Sequence, residues 1–273
     1  VTVQAAKVGE FADYDLVRKM RASICVLGPL LARMKKATVS MPGGCLIGTR
    51  PVDLHRKAMK ALGAKVAVTG GYITARAAKL IGGEMFLGGR SGPTVLGTAN
   101  AMMAATLAEG ITILHNAASE PEVIDLANLL NVMGAKVQGA GTPTIRIAGV
   151  SELGGGVHSI IPDRIETGTL LVAAAITRGN LELTHTNPAL VSSPIEKLRD
   201  AGVQIGTFKD RITVVGFDGP RAVDAETKEY PGFATDMQAQ YMAFMTQARG
   251  TSVITENIFE NRFMHVSELV RMG

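Results

Sequence analysis

The sequence predicts an α/β protein built from repeated units of about 70 residues. Its composition, 47% hydrophobic residues with 31 glycines and few aromatic side chains, is typical of an α/β core and not of a disordered or fibrous chain. A first recurring mark is an apolar helix that ends in glycine before a β-rich run. Gly110, Gly179 and Gly250 carry this mark at spacings of 69 and 71 residues.

A second recurring mark is a helix that closes on a glycine directly before a strand. Gly63, Gly134 and Gly202 carry it at spacings of 71 and 68 residues. Glycine after a helix adopts the left-handed conformation that other residues resist. Because two interleaved marks keep one period, we conclude that the repeat is not a chance recurrence.

The elements of one unit follow in order from its residue pattern. The apolar residues 102–108 predict a helix, in which Met102 and Met103 fill the core, and residues 111–113 predict a strand. A second helix closes at Gly134, and strands are expected at 135–137 and, from strict alternation, at 144–147. With a leading strand, each unit is predicted to be β-α-β-α-β-β.

The bulk properties exclude several classes of function. The net charge of +4 is mild and no basic stripe with interleaved aromatic residues occurs, so nucleic acid is not an expected partner. No apolar run is long enough to span a bilayer and the start is not a signal peptide, so we expect a cytoplasmic protein without a membrane partner. No P-loop, paired CxxC, HExxH or Rossmann fingerprint is present, so neither a cofactor nor a metal is expected.

The segment 42–55 contains the most informative motif, in which Gly43 and Gly44 precede Cys45. Pro51 suits the first position of a helix, because its missing N–H would be unpaired there. A cysteine just before a helix start, with Arg50 nearby, lies where positive potential favours the thiolate. The motif therefore predicts an anion site with a reactive thiol. The alternative, which composition alone favours, is a small buried hydrophobe.

The segment 42–55 also closely resembles the UDP-N-acetylglucosamine 1-carboxyvinyltransferases, the enolpyruvyl transferases that open peptidoglycan precursor synthesis. Matching strings run along essentially all 273 residues, at 20–24, 120–122, 162–169, 235–240 and 258–265. The resemblance implies two similar domains, each an inside-out α/β barrel of three βαβαββ units. Six units at the observed period would need about 420 residues, so we expect this chain to be a middle portion lacking N- and C-terminal segments.

The resemblance implies a domain division and a reaction. Residues 1–161 correspond to the domain with the cysteine loop and 162–273 to part of the second domain. The reaction transfers the enolpyruvyl group of phosphoenolpyruvate to the 3′-hydroxyl of UDP-N-acetylglucosamine and releases phosphate. Cys45 matches the proton donor, which can form a covalent phospholactoyl adduct and is alkylated by fosfomycin. Asp236 matches the carboxylate that takes the hydroxyl proton, although Thr-Asp at a helix start is also ordinary capping chemistry.

The remaining matches are substrate contacts. Arg21 and Arg50 match arginines near the phosphate of phosphoenolpyruvate, where a guanidinium fork suits phosphate oxygens. The uridine-binding turn corresponds to Pro51, Val52, Asp53, Leu54 and His55. Thr94 and Val95 lie where backbone N–H groups at a helix start face the diphosphate, with Leu96 replacing a family glycine.

Two further residues match substrate contacts of the family, and three others are expected to have structural roles only. Arg164 matches a residue near the junction of the domains, and Ile258 matches an apolar contact to the sugar. Cys25 is expected to be a packing residue, and Asp163 and Glu166 are expected to be first-turn acids of a helix.

Two alternatives remain open. The related shikimate-pathway enolpyruvyl transferase shares the fold but lacks the catalytic cysteine loop. The other is a truncated, inactive UDP-sugar-binding fragment, because the missing stretches would supply a lysine and two arginines of the site.

Overall fold

The structure, a computed structural model, describes residues 1–43, 47, 52–89 and 92–273. The described residues form two units, one with residues 1–43, 52–89 and 92–159, the other with residues 160–273 and Ile47. Each unit has its own apolar core. Leu31, Met102 and Leu114 are fully buried in the first, which confirms the predicted core position of Met102. Leu171 and Phe244 are fully buried in the second.

The first unit alternates helices and short strands. Its helices are α1 Tyr14–Val17, α2 Leu27–Met34, α3 Asp53–Ala61, α4 Val95–Ala105 and α5 Pro121–Val132, with a 3₁₀ helix at Arg21–Val26. Its strands are β1 Phe11–Ala12, β2 Lys36–Ser40, β3 Lys65–Thr69, β4 Tyr72–Arg76, β5 Glu84–Phe86, β6 Gly88–Gly89, β7 Gly92–Pro93, β8 Ile111–His115, β9 Lys136–Gln138 and β10 Thr144–Ala148.

Two sheets of the first unit share one topology. Their strand orders are β1-β2-β4-β3 and β5-β8-β10-β9. In each sheet the leading strand is parallel to the second, and the other two pairings are antiparallel. In the second sheet Thr144 pairs with His115 and Ala148 with Ile111. Both repeats of this unit contain the elements of the predicted order β-α-β-α-β-β, and each has additions to it: α1 and the 3₁₀ helix in the first, and the short strands β6 and β7 in the second.

The second unit contains one further repeat and the beginning of another. Its helices are α6 Arg164–Ile176, α7 Ser192–Asp200, α8 Gln238–Met245 and α9 Val266–Arg271, with 3₁₀ helices at Pro188–Val191 and Thr235–Met237. Its strands are β11 Leu181–Thr184, β12 Gln204–Thr207, β13 Arg211–Val215, β14 Ala225–Glu226 and β15 Ile254–Thr255. The sheet β11-β13-β12 has no leading strand, since the described residues between β10 and α6 contain no strand. This repeat is thus α-β-α-β-β, one strand short of the prediction.

The glycines of the second mark have the predicted conformation. Gly63, Gly134 and Gly202 have φ angles of +88°, +101° and +101°. Each follows a helix and precedes a strand. The prediction of a left-handed helix end at these three positions is confirmed.

The prediction that the helices of the first mark end in glycine was wrong. Helices α4, α6 and α8 end three to five residues earlier, and a threonine follows each of them. The hydroxyl groups of these threonines donate to carbonyl oxygens of the last helical turn: Thr106 to Met103 at 2.7 Å, Thr177 to Ala173 at 2.8 Å and Thr246 to Ala243 at 2.8 Å. The bonds to Met103 and Ala243 occupy carbonyl groups in the last turn, where backbone partners run out. The carbonyl of Ala173 also accepts the backbone N–H of Thr177 at 3.2 Å.

Helix α3 begins at Asp53, so the sequence prediction of a start at Pro51 was two residues early. Val52, with φ −102° and ψ 17°, is the residue at the helix boundary. None of the helices in the described residues is long and apolar enough to cross a membrane.

Candidate active site

The predicted site residues fall into three sets. Cys45, Arg50 and Pro51 lie outside the described residues. The second set lies in the first unit: Arg21, Val52, Asp53, Leu54, His55, Thr94 and Val95. The third set lies in the second unit: Arg164, Asp236 and Ile258.

In the first unit, charged residues surround a buried histidine. Arg21 begins the 3₁₀ helix and is half-buried, and Asp53 is the exposed first residue of α3. His55, two residues further along α3, is only 4% exposed. The pKa of His55 is lowered to about 4, chiefly by burial and also by the positive charge of Arg21, while the negative charge of Asp53 opposes the shift. The imidazole is therefore neutral at pH 7.

Asn100 on α4 orients this histidine. Its Oδ1 accepts the backbone N–H of Gly28 at 2.5 Å, so Nδ2 must be the atom that faces His55 Nδ1 at 3.0 Å. An amide nitrogen can only donate, so Nδ1 of His55 accepts and the ring proton is on Nε2. The turn predicted to bind uridine thus contains a neutral imidazole that can donate a hydrogen bond from Nε2.

Asn100 is a residue that the sequence analysis missed. It is fully buried, and its Nδ2 also donates to the carbonyl oxygen of Ile24 at 2.9 Å. The side chain of Asn100 therefore joins α4 to His55 in α3 and to Ile24 in the 3₁₀ helix that begins at Arg21. The sequence signal was an asparagine within the apolar run of α4, where a polar side chain needs partners.

Thr94 and Val95 lie where they were predicted, at the start of a helix. Thr94 is the N-cap of α4, and its hydroxyl oxygen accepts the N–H of Gly97 at 3.2 Å. The N–H groups of Val95 and Leu96 belong to the first turn and have no carbonyl partner within the helix. An anion could bind to such a helix start.

Cys25 packs against the same helix. Its thiol lies 3.9 Å from the carbonyl oxygen of Leu96, and burial raises its pKa to about 11. Its predicted role as a packing residue is confirmed, because it packs against the apolar core.

In the second unit, Arg164 begins α6 next to a capping acid. Asp163 caps the helix, with Oδ1 accepting the N–H of Ile165 at 2.8 Å and of Glu166 at 3.1 Å. Asp163 and Glu166 are thus first-turn acids, as predicted. Arg164 stacks over Tyr230 at 5.8 Å from the ring centroid. A small pocket beside it is lined in part by Arg164, Tyr230, Ala234 and Met237.

Asp236 is held by a side chain distant in sequence. It lies in the 3₁₀ helix before α8, but neither that helix nor α8 has a side-chain cap, so the capping alternative does not describe it. Its Oδ1 instead accepts a hydrogen bond from Arg262 Nη2 at 2.5 Å. The side chain of Arg262 is 18% exposed and lies over Phe259, which fixes its position. Asp236 itself is half exposed and accessible to a ligand.

Ile258 begins a turn after β15 that is organised by Glu256. The backbone N–H of Ile258 donates to Glu256 Oε1 at 2.8 Å. Glu256 also accepts from Thr235 Oγ1 at 2.9 Å, next to Asp236. Ile258 and Thr235, the residue before Asp236, therefore bond to the same carboxylate, whereas the pocket beside Arg164 includes neither Asp236 nor Ile258. Sequence reasoning assigned no role to Glu256 or Arg262, although Arg262 lies within a string that carried the family resemblance.

Within residues 1–43, 47, 52–89 and 92–273, no three histidine, cysteine, aspartate or glutamate side chains converge to hold an ion.

We expect the stability of the first unit to fall between pH 7 and pH 5 because of His55. Its pKa is about 4 when folded and 6.5 when exposed, so the unfolded chain binds the proton first as the pH falls. The stabilisation is complete above pH 6.5 and is lost as the pH falls toward 4. At pH 5 the loss should be about 2 kcal/mol. Urea unfolding at pH 7 and at pH 5 measures the free energy of unfolding of the wild type and of His55→Asn. The variant should lack this part of the loss between the two pH values. An equal loss of unfolding free energy in the two proteins would contradict the prediction.

Comparison with known families identifies relatives along the whole chain. The family model described as EPSP synthase (3-phosphoshikimate 1-carboxyvinyltransferase) matches residues 1–273. A UDP-N-acetylglucosamine 1-carboxyvinyltransferase 1 from Caldanaerobacter subterraneus is 56% identical over 262 residues, 96% of this chain and 62% of the relative. The corresponding transferase from Bdellovibrio bacteriovorus is also 56% identical, over 96% of this chain and 63% of the relative. The resemblance noted in the sequence is thereby confirmed, and the chain spans about three fifths of these relatives' length.

Solved structures share the fold at low sequence identity. The enolpyruvyl transferase NikO from Streptomyces tendae superposes with a TM-score of 0.85 at 23% identity, covering 97% of this chain and 63% of that one. An EPSP synthase from Acinetobacter baumannii superposes with a TM-score of 0.63 at 21% identity, covering 85% of this chain and 54% of that one. These likenesses establish a mixed α/β fold of the enolpyruvyl transferase type.

Proposed function

Because this chain belongs to the EPSP synthase (3-phosphoshikimate 1-carboxyvinyltransferase) family, we propose that it forms part of an enolpyruvyl transferase acting on phosphoenolpyruvate and UDP-N-acetylglucosamine. The observation that carries this proposal is the 56% identity, along 96% of the chain, to transferases named for that sugar nucleotide. The reaction would begin peptidoglycan precursor synthesis in the cytoplasm.

The proposed reaction is an addition followed by an elimination. The 3′-hydroxyl oxygen forms a bond to C2 of phosphoenolpyruvate, the hydroxyl proton passes to a base, and C3 receives a proton from an acid. The tetrahedral intermediate then loses phosphate from C2 and a proton from C3, which restores the double bond. The reaction leaves the overall oxidation state of the reactants unchanged, so it requires no redox cofactor.

The first unit would supply the acid and most contacts to the substrates. We assign the proton donor to Cys45, and the contacts to the phosphate of phosphoenolpyruvate to Arg21 and Arg50. The uridine would bind to the turn at 51–55, where Asp53 can accept from a base N–H and His55 can donate from Nε2. The diphosphate would bind at the start of α4, next to Thr94 and Val95.

The second unit would supply the base. We assign proton removal from the 3′-hydroxyl to Asp236, whose carboxylate is half exposed and oriented by Arg262. Ile258 would contact the sugar, and Arg164 a substrate near the start of α6. We further propose that residues 1–161 and 162–273 belong to two inside-out barrel domains.

Intact-mass analysis after incubation with fosfomycin tests this function. An epoxide of this kind alkylates thiolate, so we expect one adduct, mapped to Cys45 and formed faster when UDP-N-acetylglucosamine is present. Cys25 is an internal control, because burial raises its pKa to about 11 and leaves it a thiol at pH 7. Cys25→Ser should still be labelled and Cys45→Ser should not.

Two results would contradict the proposal. Labelling of Cys25 would show that the reactive thiol is misassigned, and labelling indifferent to the sugar nucleotide would show that the nucleotide site does not form. Nucleotide-dependent labelling without phosphate release from phosphoenolpyruvate would favour the alternative of a non-catalytic UDP-sugar-binding protein.

A further inference from the structure

The carboxylate of Glu256 accepts four hydrogen bonds in the second unit. Its Oε1 accepts from Thr227 Oγ1 at 2.9 Å and from the backbone N–H groups of Ile258 at 2.8 Å and Phe259 at 3.1 Å. Its Oε2 accepts from Thr235 Oγ1 at 2.9 Å. Bonds to a charged acceptor are stronger than neutral ones. This half-buried side chain therefore joins three segments of the chain.

A local turn alone does not account for this arrangement. The bonds to Ile258 and Phe259 span two and three residues, as in an ordinary turn. The bond to Thr235, however, spans 21 residues, and the bond to Thr227 spans 29. The hydroxyl oxygen of Thr227 also accepts the backbone N–H of Asn257 at 2.9 Å, which leaves its proton to be donated to Glu256. The direction of that bond is thereby determined.

One of the two long-range bonds, the bond to Thr235, connects the segments that carry Asp236 and Ile258. Thr235 directly precedes Asp236, and Ile258 follows Glu256 by two residues. Arg262, at the far end of the segment that begins with Ile258, holds Asp236 Oδ1 at 2.5 Å. The Asp236 segment is thus fixed at two points to the segment 256–262, once through the hydroxyl of Thr235 and once through the carboxylate of Asp236.

We propose that Glu256 is a positioning residue that sets the place of the Asp236 carboxylate relative to the sugar contact at Ile258. It does not touch the reacting atoms, and it acts through Thr235 and through the turn at 258–259. The inference rests on the proposed function, because only then do Asp236 and Ile258 face the same sugar. A shift of the base by about 1 Å from its hydroxyl is enough to slow a reaction by about 10²-fold.

Substitutions that remove different numbers of these bonds test the role by kinetics. Glu256→Ala should lower kcat for phosphate release by about 10²-fold with a change in KM for UDP-N-acetylglucosamine of less than about 3-fold. Thr235→Val removes only the bond next to Asp236 and should lower kcat by about 10-fold. Glu256→Gln keeps an acceptor at Oε1 and an amide that can donate to Thr235, so it should restore kcat to within about 3-fold of the wild type.

Glu226 offers a matched control. It is a glutamate on the neighbouring strand β14 that accepts from the Asn257 side chain at 2.9 Å and pairs with Lys228. It therefore reaches the segment 256–262 only through the Asn257 side chain, and within the described residues it does not bond to Thr235, Asp236 or the N–H groups of Ile258 and Phe259. Glu226→Ala should leave kcat unchanged. The rate of phosphate release is normalised to the fraction of protein that fosfomycin labels. A loss of folded protein is then not mistaken for a loss of turnover.

Hydrogen exchange supplies a readout that needs no turnover. In Glu256→Ala the backbone amides of Ile258 and Phe259 and the peptide containing Thr235 should exchange at least about 10-fold faster, and in Glu226→Ala they should not. Equal exchange and equal kcat in the two alanine variants would overturn the positioning role. Absence of phosphate release by the wild type would count against the proposed function, and the exchange data would still decide whether Glu256 joins the segments.

Discussion

Replacing Asp236 with asparagine is expected to lower phosphate release by about 10²- to 10⁴-fold, the usual effect of removing a general base. An amide cannot take the proton of the sugar hydroxyl. Its oxygen can still accept a hydrogen bond from Arg262, as Asp236 Oδ1 does at 2.5 Å in the unsubstituted protein. The geometry should therefore survive while the chemistry is lost. Steady-state phosphate release with both substrates saturating measures the effect, and unchanged KM for UDP-N-acetylglucosamine would identify it as a loss of transition-state stabilisation.

Asp163 provides the matched control for this substitution. It lies in the same unit at the start of α6, and its carboxylate caps the helix at 2.8 Å from the N–H of Ile165. Asparagine is an equally good N-cap, so Asp163→Asn should change neither phosphate release nor stability appreciably. Comparable activities for the two variants would rule out Asp236 as the base.

The second large effect is expected on stability, from Asn100→Leu. Leucine has a similar volume, but it leaves the N–H of Gly28 and Nδ1 of His55 without partners in a fully buried place, and it removes one of the two hydrogen bonds to the carbonyl of Ile24, which also accepts from the N–H of Leu27. Each unsatisfied buried group costs about 1–3 kcal/mol, so the free energy of unfolding of the first unit should fall by about 3 kcal/mol or more. Urea unfolding followed by far-ultraviolet circular dichroism measures this loss.

Asn131 is a suitable comparison because it makes similar bonds at the surface. Its side chain pairs with the N–H of Val137 at 2.8 Å and with the carbonyl of the same residue at 2.9 Å, but Asn131 itself is exposed. Water can replace such bonds, so Asn131→Leu should cost less than about 1 kcal/mol. If the two leucine variants unfold at the same urea concentration, the buried position of Asn100 has no special importance.

Features set by residues adjacent in sequence could be predicted. Gly134 and Gly202 were expected to end helices in a left-handed conformation, and both have φ +101°. The alternating residues 144–147 predicted a strand that lies within β10. Each of these depends on local backbone preference or on side-chain periodicity, which a single sequence displays directly.

The connections that assemble the candidate site could not be predicted in the same way. Asn100 binds groups 72 and 76 residues away, and Glu256 binds groups 21 and 29 residues away. The sequence shows a polar residue in an apolar helix, or an acid after a strand, without showing which backbone groups the fold brings near it. The sequence also did not show that the third sheet lacks the leading strand that β1 and β5 supply in the other two sheets.

The sheet topology also determines the order in which this protein can form during synthesis. All strand partners of the first sheet lie within residues 11–76, those of the second within 84–148 and those of the third within 181–215. A ribosome adds about 5–20 residues per second, so one repeat emerges on the order of ten seconds before the next. Each sheet can therefore pair its own strands before a competing strand of the following repeat exists. Packing of α2 against α4 and the bonds of Asn100 can join the first two repeats only afterwards. The repeat thus separates fast, local strand pairing from slower contacts between repeats, and this limits mispairing among segments of similar sequence.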